Sequence, residues 1–133
     1  MQLSNLIVNT KVVEVDFPSL EGFKVKIAAV SREVSKKIRK DAEVTKIDSK
    51  LRMPVTEIDE DKFLTLFADA AIKGWSGLKM KHLPELLLVD LADADLEASV
   101  EYSAENVLQL LKHSQIFDTW INEQVFDIQR FRD

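Results

Sequence analysis

The stretch that most constrains this chain is an apolar stripe that runs into a tryptophan. Phe63, Leu64, Phe67, Ala68, Ala71 and Ile72 recur at helical spacing and lead directly to Gly74-Trp75-Ser76-Gly77. The period of 3.6 predicts an amphipathic helix that starts at Thr56 or Asp59, with Glu57, Glu60 and Asp61 near its positive end. Gly74 reads as the helix stop, because glycine takes the left-handed conformation past a helix end without a Cβ penalty. A second helix start follows at Tyr102-Ser103-Ala104-Glu105-Asn106. There Ser103 can cap the N–H of Glu105 or Asn106, and Tyr102 and Val107 have the spacing of a hydrophobic staple.

Each half of this pattern is ordinary helix punctuation, and their order and pairing carry more. A Gly-Trp-Ser-Gly corner, an acidic stretch and a Tyr-Ser-x-Glu-Asn cap together resemble the tail assembly chaperones of long-tailed, lambda-like bacteriophages. The matching positions are Ile72, Trp75, Gly77, Tyr102, Ser103, Glu105 and Asn106, and the likeness is best over residues 57–126. The chain departs from that pattern at 79–99, which is longer than the usual link and contains no glycine. The resemblance implies a non-catalytic protein of the host cytoplasm, absent from the mature virion. Many copies of it would coat the tape measure protein, keep it soluble and help recruit tail tube subunits. It also implies self-association and a longer, frameshifted form that contacts the tail tube protein.

Upstream, two alternating runs predict a β-hairpin over residues 11–28. Val13, Val15 and Phe17 share one face, and Phe23, Val25 and Ile27 share another opposite Lys24 and Lys26, with Pro18-Ser19-Leu20-Glu21 between the runs. An isolated hairpin is marginal in water, so its apolar face must lie on helices or on another protomer. Ser31 caps a basic helix whose narrow stripe is Val34 and Ile38. Val44, Ile47 and Leu51 stand at near-helical spacing, which lets that helix continue or restart until Pro54 ends it. A further helix is expected from Pro84 through Leu86-Leu87-Leu88-Val89, with a strand at 86–89 as the alternative. Ser114 caps a last helix presenting Ile116, Phe117, Trp120, Ile121, Val125 and Ile128, before a tail of Arg130-Phe131-Arg132-Asp133 that should fray. The first ten residues read as a loose lead-in. The expected fold is a single domain over 1–133, mainly α, with four to five helices over 31–133 and the short N-terminal hairpin.

At 133 residues and 46% hydrophobic, the chain can bury a proper core. No run is long and apolar enough to span a bilayer, and the start lacks a basic signal-peptide region, so a soluble intracellular protein is expected. The absence of cysteine excludes disulfides, thiolate metal sites and cysteine nucleophiles. Charge is divided unevenly. Residues 1–53 hold 11 Lys/Arg against 7 Asp/Glu, a balance of +4, and residues 54–133 hold 7 against 16, a balance of −9. The net of −5 argues against nucleic acid as main partner, while the asymmetry suits complementary ends of a self-associating protein.

Catalytic chemistry finds few parts. His82 and His113 lie in different segments without motif partners, so a structural or surface role is the simpler reading of each. Counted as a calcium loop from Asp90, the third, fifth and sixth positions are Ala92, Ala94 and Asp95, and only Glu101 at the twelfth fits. Three glycines, at 22, 74 and 77, cannot form a phosphate loop. No catalytic, cofactor or metal residue is assigned. The candidate partner-binding residues are Trp75, Phe117, Trp120, Ile121 and Val125, with Lys36, Lys37 and Lys40 as a basic docking patch. Those lysines could meet Asp93, Asp95 and Glu97 of a neighbouring copy. For Trp75 core or corner packing competes with binding, and the last helix reads equally as core and as interface. Two other functions stay open: a tail completion or connector subunit, and a small regulator that sets the 32–40 helix on nucleic acid.

Overall fold

The structure, a computed structural model, describes residues 2–3, 6, 11–50, 52–127 and 131. Strand β1 (Val12–Asp16) pairs antiparallel with β2 (Lys24–Ala28) in the register Val13↔Ile27 and Val15↔Val25. The alternation drives this pairing as expected: Val25 and Ile27 are fully buried, whereas Lys24 and Lys26 face out. Leu20 of the connecting loop is also buried, and Phe17 N–H donates to the Phe23 carbonyl at 2.9 Å.

Helix α1 (Arg32–Asp41) starts at Ser31, whose hydroxyl accepts from Val34 N–H at 3.2 Å. Next comes a second hairpin, β3 (Glu43–Asp48) with β4 (Met53–Ile58), a two-stranded sheet joined to no other strand among the described residues. The expected helical continuation is therefore corrected. Pro54 stands in a strand opposite Ile47, on a two-stranded sheet where a missing N–H is tolerated. Leu51, part of that expectation, lies outside the described residues.

Asp59 caps α2 (Glu60–Ala71), accepting from Lys62 N–H at 3.1 Å. Helix α2 then passes without a loop into β5 (Ile72–Ser76), which pairs with β2 to make a three-stranded sheet in the order β1-β2-β5. Lys26 faces Gly74 and Ile27 faces Ile72, so Lys73 is the extra residue of a bulge that turns the chain from helix to strand. The Trp75 corner is thus an extended strand. Gly74 does not take the left-handed conformation assigned to it; Gly77 does, at φ 77°.

Residues Met80–Glu85 form a 3-10 helix with Pro84 inside it, and neither a helix nor a strand forms over 86–89. The acidic link is held by Met80 N–H to Ala98 O, Lys81 N–H to Leu96 O, and a Lys79–Ser99 bridge. Helices α3 (Ala104–His113) and α4 (Gln115–Val125) start at Ser103 and Ser114, each hydroxyl accepting a backbone N–H at 3.1 Å. Ile128, Arg130, Arg132, Asp133 and most of the first ten residues lie outside the described residues, but Phe131 is buried against the core and does not fray.

Among the described residues there are four α-helices, one 3-10 helix, and two small antiparallel sheets. The chain is therefore α+β and not mainly α. Three segments that read as helix or as helix punctuation, at 43–48, 53–58 and 72–76, are strands. One continuous core joins the inner face of the three-stranded sheet to α2, α3 and α4.

Candidate functional site

Two features stand out beside this core, an aromatic corner and an adjoining groove. Trp75 is half-buried on β5, where its ring meets Phe23, Tyr102 and Phe117 edge-on, at centroid distances of 6.1, 5.5 and 6.4 Å. Its indole N–H donates to the Val100 carbonyl at 2.9 Å. Tyr102 turns its hydroxyl inward to donate to the Ile72 carbonyl at 3.1 Å, and the ring stands against Trp75. Burial, and secondarily the Asp69 carboxylate, raise the Tyr102 hydroxyl above its ordinary value, so it stays a donor. Asn106 closes the cap by donating its side-chain amide to the Glu101 carbonyl at 2.8 Å. At Gly77 a Cβ would stand 1.9 Å from the Gly22 carbonyl oxygen, so only glycine lets the two turns touch.

The corner thus joins Ile72 and Trp75 to Val100 and Tyr102 across two segments, with Ser103 and Asn106 capping the second and Gly77 packed on Gly22. Phe117 continues the cluster inward, within 6.2–6.4 Å of Phe17, Phe23 and Trp120.

Beside the cluster, the first hairpin's loop and α4 enclose an open groove of about 600 Å³. Phe17, Leu20, Leu86 and Trp120 form its apolar base, while Ile116 and Thr119 line one side. Glu85 and Glu123 carry the charge at its lining, which among the described residues includes no Lys or Arg. Ile116 is 59% exposed, and Leu88, two residues beyond Leu86, is wholly exposed.

The residues singled out for partner binding separate into three groups. Phe117, Ile121 and Val125 are core side chains with at most 1% exposure, so in this fold they offer nothing to a partner. Trp120 reaches the groove and Trp75 reaches the surface beside Tyr102. Lys36, Lys37 and Lys40 are exposed on α1, away from both features. Of the acids proposed to meet them, Glu97 is held by Lys79 at 2.9 Å and Lys81 at 3.1 Å within its own chain. Hydrogen bonds from those lysines lower its carboxyl below the ordinary value. The groove's Leu20, Leu86 and Ile116 were not among the predicted site residues. Ile116 carried a signal, as the one apolar residue of the α4 run that lies off the face of Phe117, Trp120, Ile121 and Val125.

His82 serves the fold, its Nδ1 accepting the Lys79 N–H at 3.1 Å, and His113 is exposed in the last turn of α3. Among the described residues, no group of three His, Asp or Glu is placed to hold a metal ion. No helix among them is long and apolar enough to cross a membrane.

The sequence profile of the YdaY prophage protein family matches residues 19–133, most of the chain, with the whole corner and all of the groove's lining except Phe17 and Pro18. The chain belongs to that family. It is therefore a phage-derived protein, and the matched span includes the corner, α4 and the hairpin loop from Ser19 on. No curated protein and no solved structure matches the chain.

Proposed function

We propose that this YdaY-family protein is a tail assembly chaperone. It binds the tape measure protein, keeps that long helical chain soluble and helps recruit tail tube subunits, without catalysing a reaction. A longer, frameshifted form makes the contact with the tube protein, and the protein leaves before the particle is complete. The observation that supports this reading is the convergence of the resemblance residues. Ile72 and Trp75 meet Tyr102 in one hydrogen-bonded aromatic corner, Ser103 and Asn106 close the cap behind it, Gly77 seats its turn on Gly22, and Glu105 stays outside, bonded to Gln109. The apolar groove next to the corner has the character of a surface that receives a hydrophobic helix face.

Co-expression with the tape measure protein of the same prophage, followed by affinity capture of this chain, tests the reading. The expected result is a soluble tape measure protein carrying many copies of the chain, and purified virions that lack it. Precipitation of the tape measure protein while this chain stays free would remove the chaperone reading. Stable retention in virions would favour a completion or connector subunit instead.

A further inference from the structure

Two features of this fold have no partner among the described residues, and they match each other. The first is the β3–β4 hairpin. Its strands make their extensive contacts only with one another, and Ile47, Met53 and Ile58 are 80, 57 and 40% exposed. A free two-stranded hairpin is marginal in water, and the register sets Ile47 on one face of its tip and Met53 on the other, with Ile58 at the base, so both faces of the tip carry an exposed apolar side chain. Near its tip stand Lys50 and Arg52, both exposed. The nearby acid, Asp48, already accepts the Lys50 backbone N–H at 2.8 Å, and Lys46 is matched by Glu57 at 3.6 Å. Lys50 and Arg52 outnumber the Asp48 carboxylate, so the tip offers apolar side chains beside a net positive charge.

The second feature is the groove, which offers the converse: an apolar base at Trp120, an exposed Ile116, and the carboxylates of Glu85 and Glu123. Helix α1 is the other basic element, but it cannot serve as the occupant. Its apolar residues Val34 and Ile38 turn into the core of their own chain and leave only charge outside.

We propose that copies of this chain join head to tail, with the tip of the β3–β4 hairpin of one copy seated in the groove beside Trp120 of the next. Arm and groove are different surfaces, so the contact is heterologous. Each copy in a row uses both surfaces, and the row stays open unless the rotation closes a ring. Lys50 and Arg52 meet Glu85 and Glu123 at the rim, where charges mainly set the association rate and its salt dependence. This inference does not rest on the tail-assembly reading, and its test uses this chain alone.

The test is sedimentation velocity on the full chain across a concentration series, at low and high salt. Wild type should grow in mass with concentration, less so at high salt. An arm variant, Ile47→Asp with Met53→Asp, and a groove variant, Ile116→Asp, should each weaken association at least about tenfold, the scale of losing one interface anchor. Both change exposed residues, so thermal midpoints should hold; Ile116→Lys serves if Ile116→Asp misfolds. Mixed together, the two variants should form one-to-one pairs that grow no further, because one good arm then meets one good groove. A wild type that stays monomeric to millimolar concentration would overturn the proposal. So would a groove variant that associates normally by itself, since that result would mean an arm-to-arm contact.

Discussion

The aromatic corner and the β3–β4 arm are both antiparallel β structure, yet they obey opposite rules. At the corner, β5 adds to β2, and Val25, Ile27 and Ile72 are sealed beneath α2 and α4. Every polar group singled out there has an acceptor: the Trp75 indole finds Val100 and the Tyr102 hydroxyl finds Ile72. In the arm, two strands have only each other, and Ile47 and Met53 project into solvent. Strand pairing alone therefore does not decide what a sheet contributes. A third strand and a helical cover turn the same ladder from an accessory into the centre of the fold.

This contrast predicts a descending series of effects. Phe117→Ala removes a fully buried ring from the midst of Phe17, Phe23, Trp75 and Trp120, and should cost about 3–5 kcal/mol in denaturant unfolding. Gly77→Ala forces a Cβ onto the Gly22 backbone at positive φ. The loss should be about 3 kcal/mol, with hydrogen-exchange protection falling first at β5 and the first hairpin's loop. Gln124 sharpens the same point from the other side. It is buried on α4, and its Oε1 has no hydrogen-bond partner among the described residues, so Gln124→Met should raise stability by about 1 kcal/mol.

A smaller effect concerns the acidic link. The Glu97 carboxyl is lowered in the folded chain by Lys79 and Lys81, so its contribution is present above the ordinary carboxylate range and fades as pH falls through the folded value. An NMR titration should place its midpoint below the ordinary carboxylate value, and Lys79→Ala with Lys81→Ala should move it back up. Smallest of all, Ile47→Ser in the arm should change the stability of the monomer by no more than about 0.5 kcal/mol. A loss comparable to that of Phe117→Ala would erase the distinction between the two regions.

The same contrast explains what could be read from the residues. Ser31, Asp59, Ser103 and Ser114 all cap helices in the structure, because a cap is settled by residues three or four apart. The first hairpin was equally legible, since Val13, Val15, Val25 and Ile27 alternate with Glu14, Asp16, Lys24 and Lys26. Strand β5 was not. Ile72 continues the helical period of α2, and only pairing with β2, more than 40 residues upstream, makes 72–76 extended. The arm was missed because Val44 and Ile47 are three apart, and an uncovered hairpin lacks the clean alternation that a buried face imposes. At the candidate site, Trp75 and Trp120 were found as large anchors. The groove around Trp120 was not, because the first hairpin's loop and the 3-10 segment build it with α4 only after folding.

The arm leaves and rejoins the body at nearly one point, where Asp59 N–H donates to the Ala42 carbonyl at 2.9 Å. Whatever lies between those two residues can be shortened, lengthened or exchanged without rewiring the interior. Six residues per strand correspond to a reach of roughly 20 Å. In a row of copies linked by that reach, hairpin length becomes the ruler for the spacing of neighbours, and two residues added to each strand would lengthen the repeat while leaving each body unchanged.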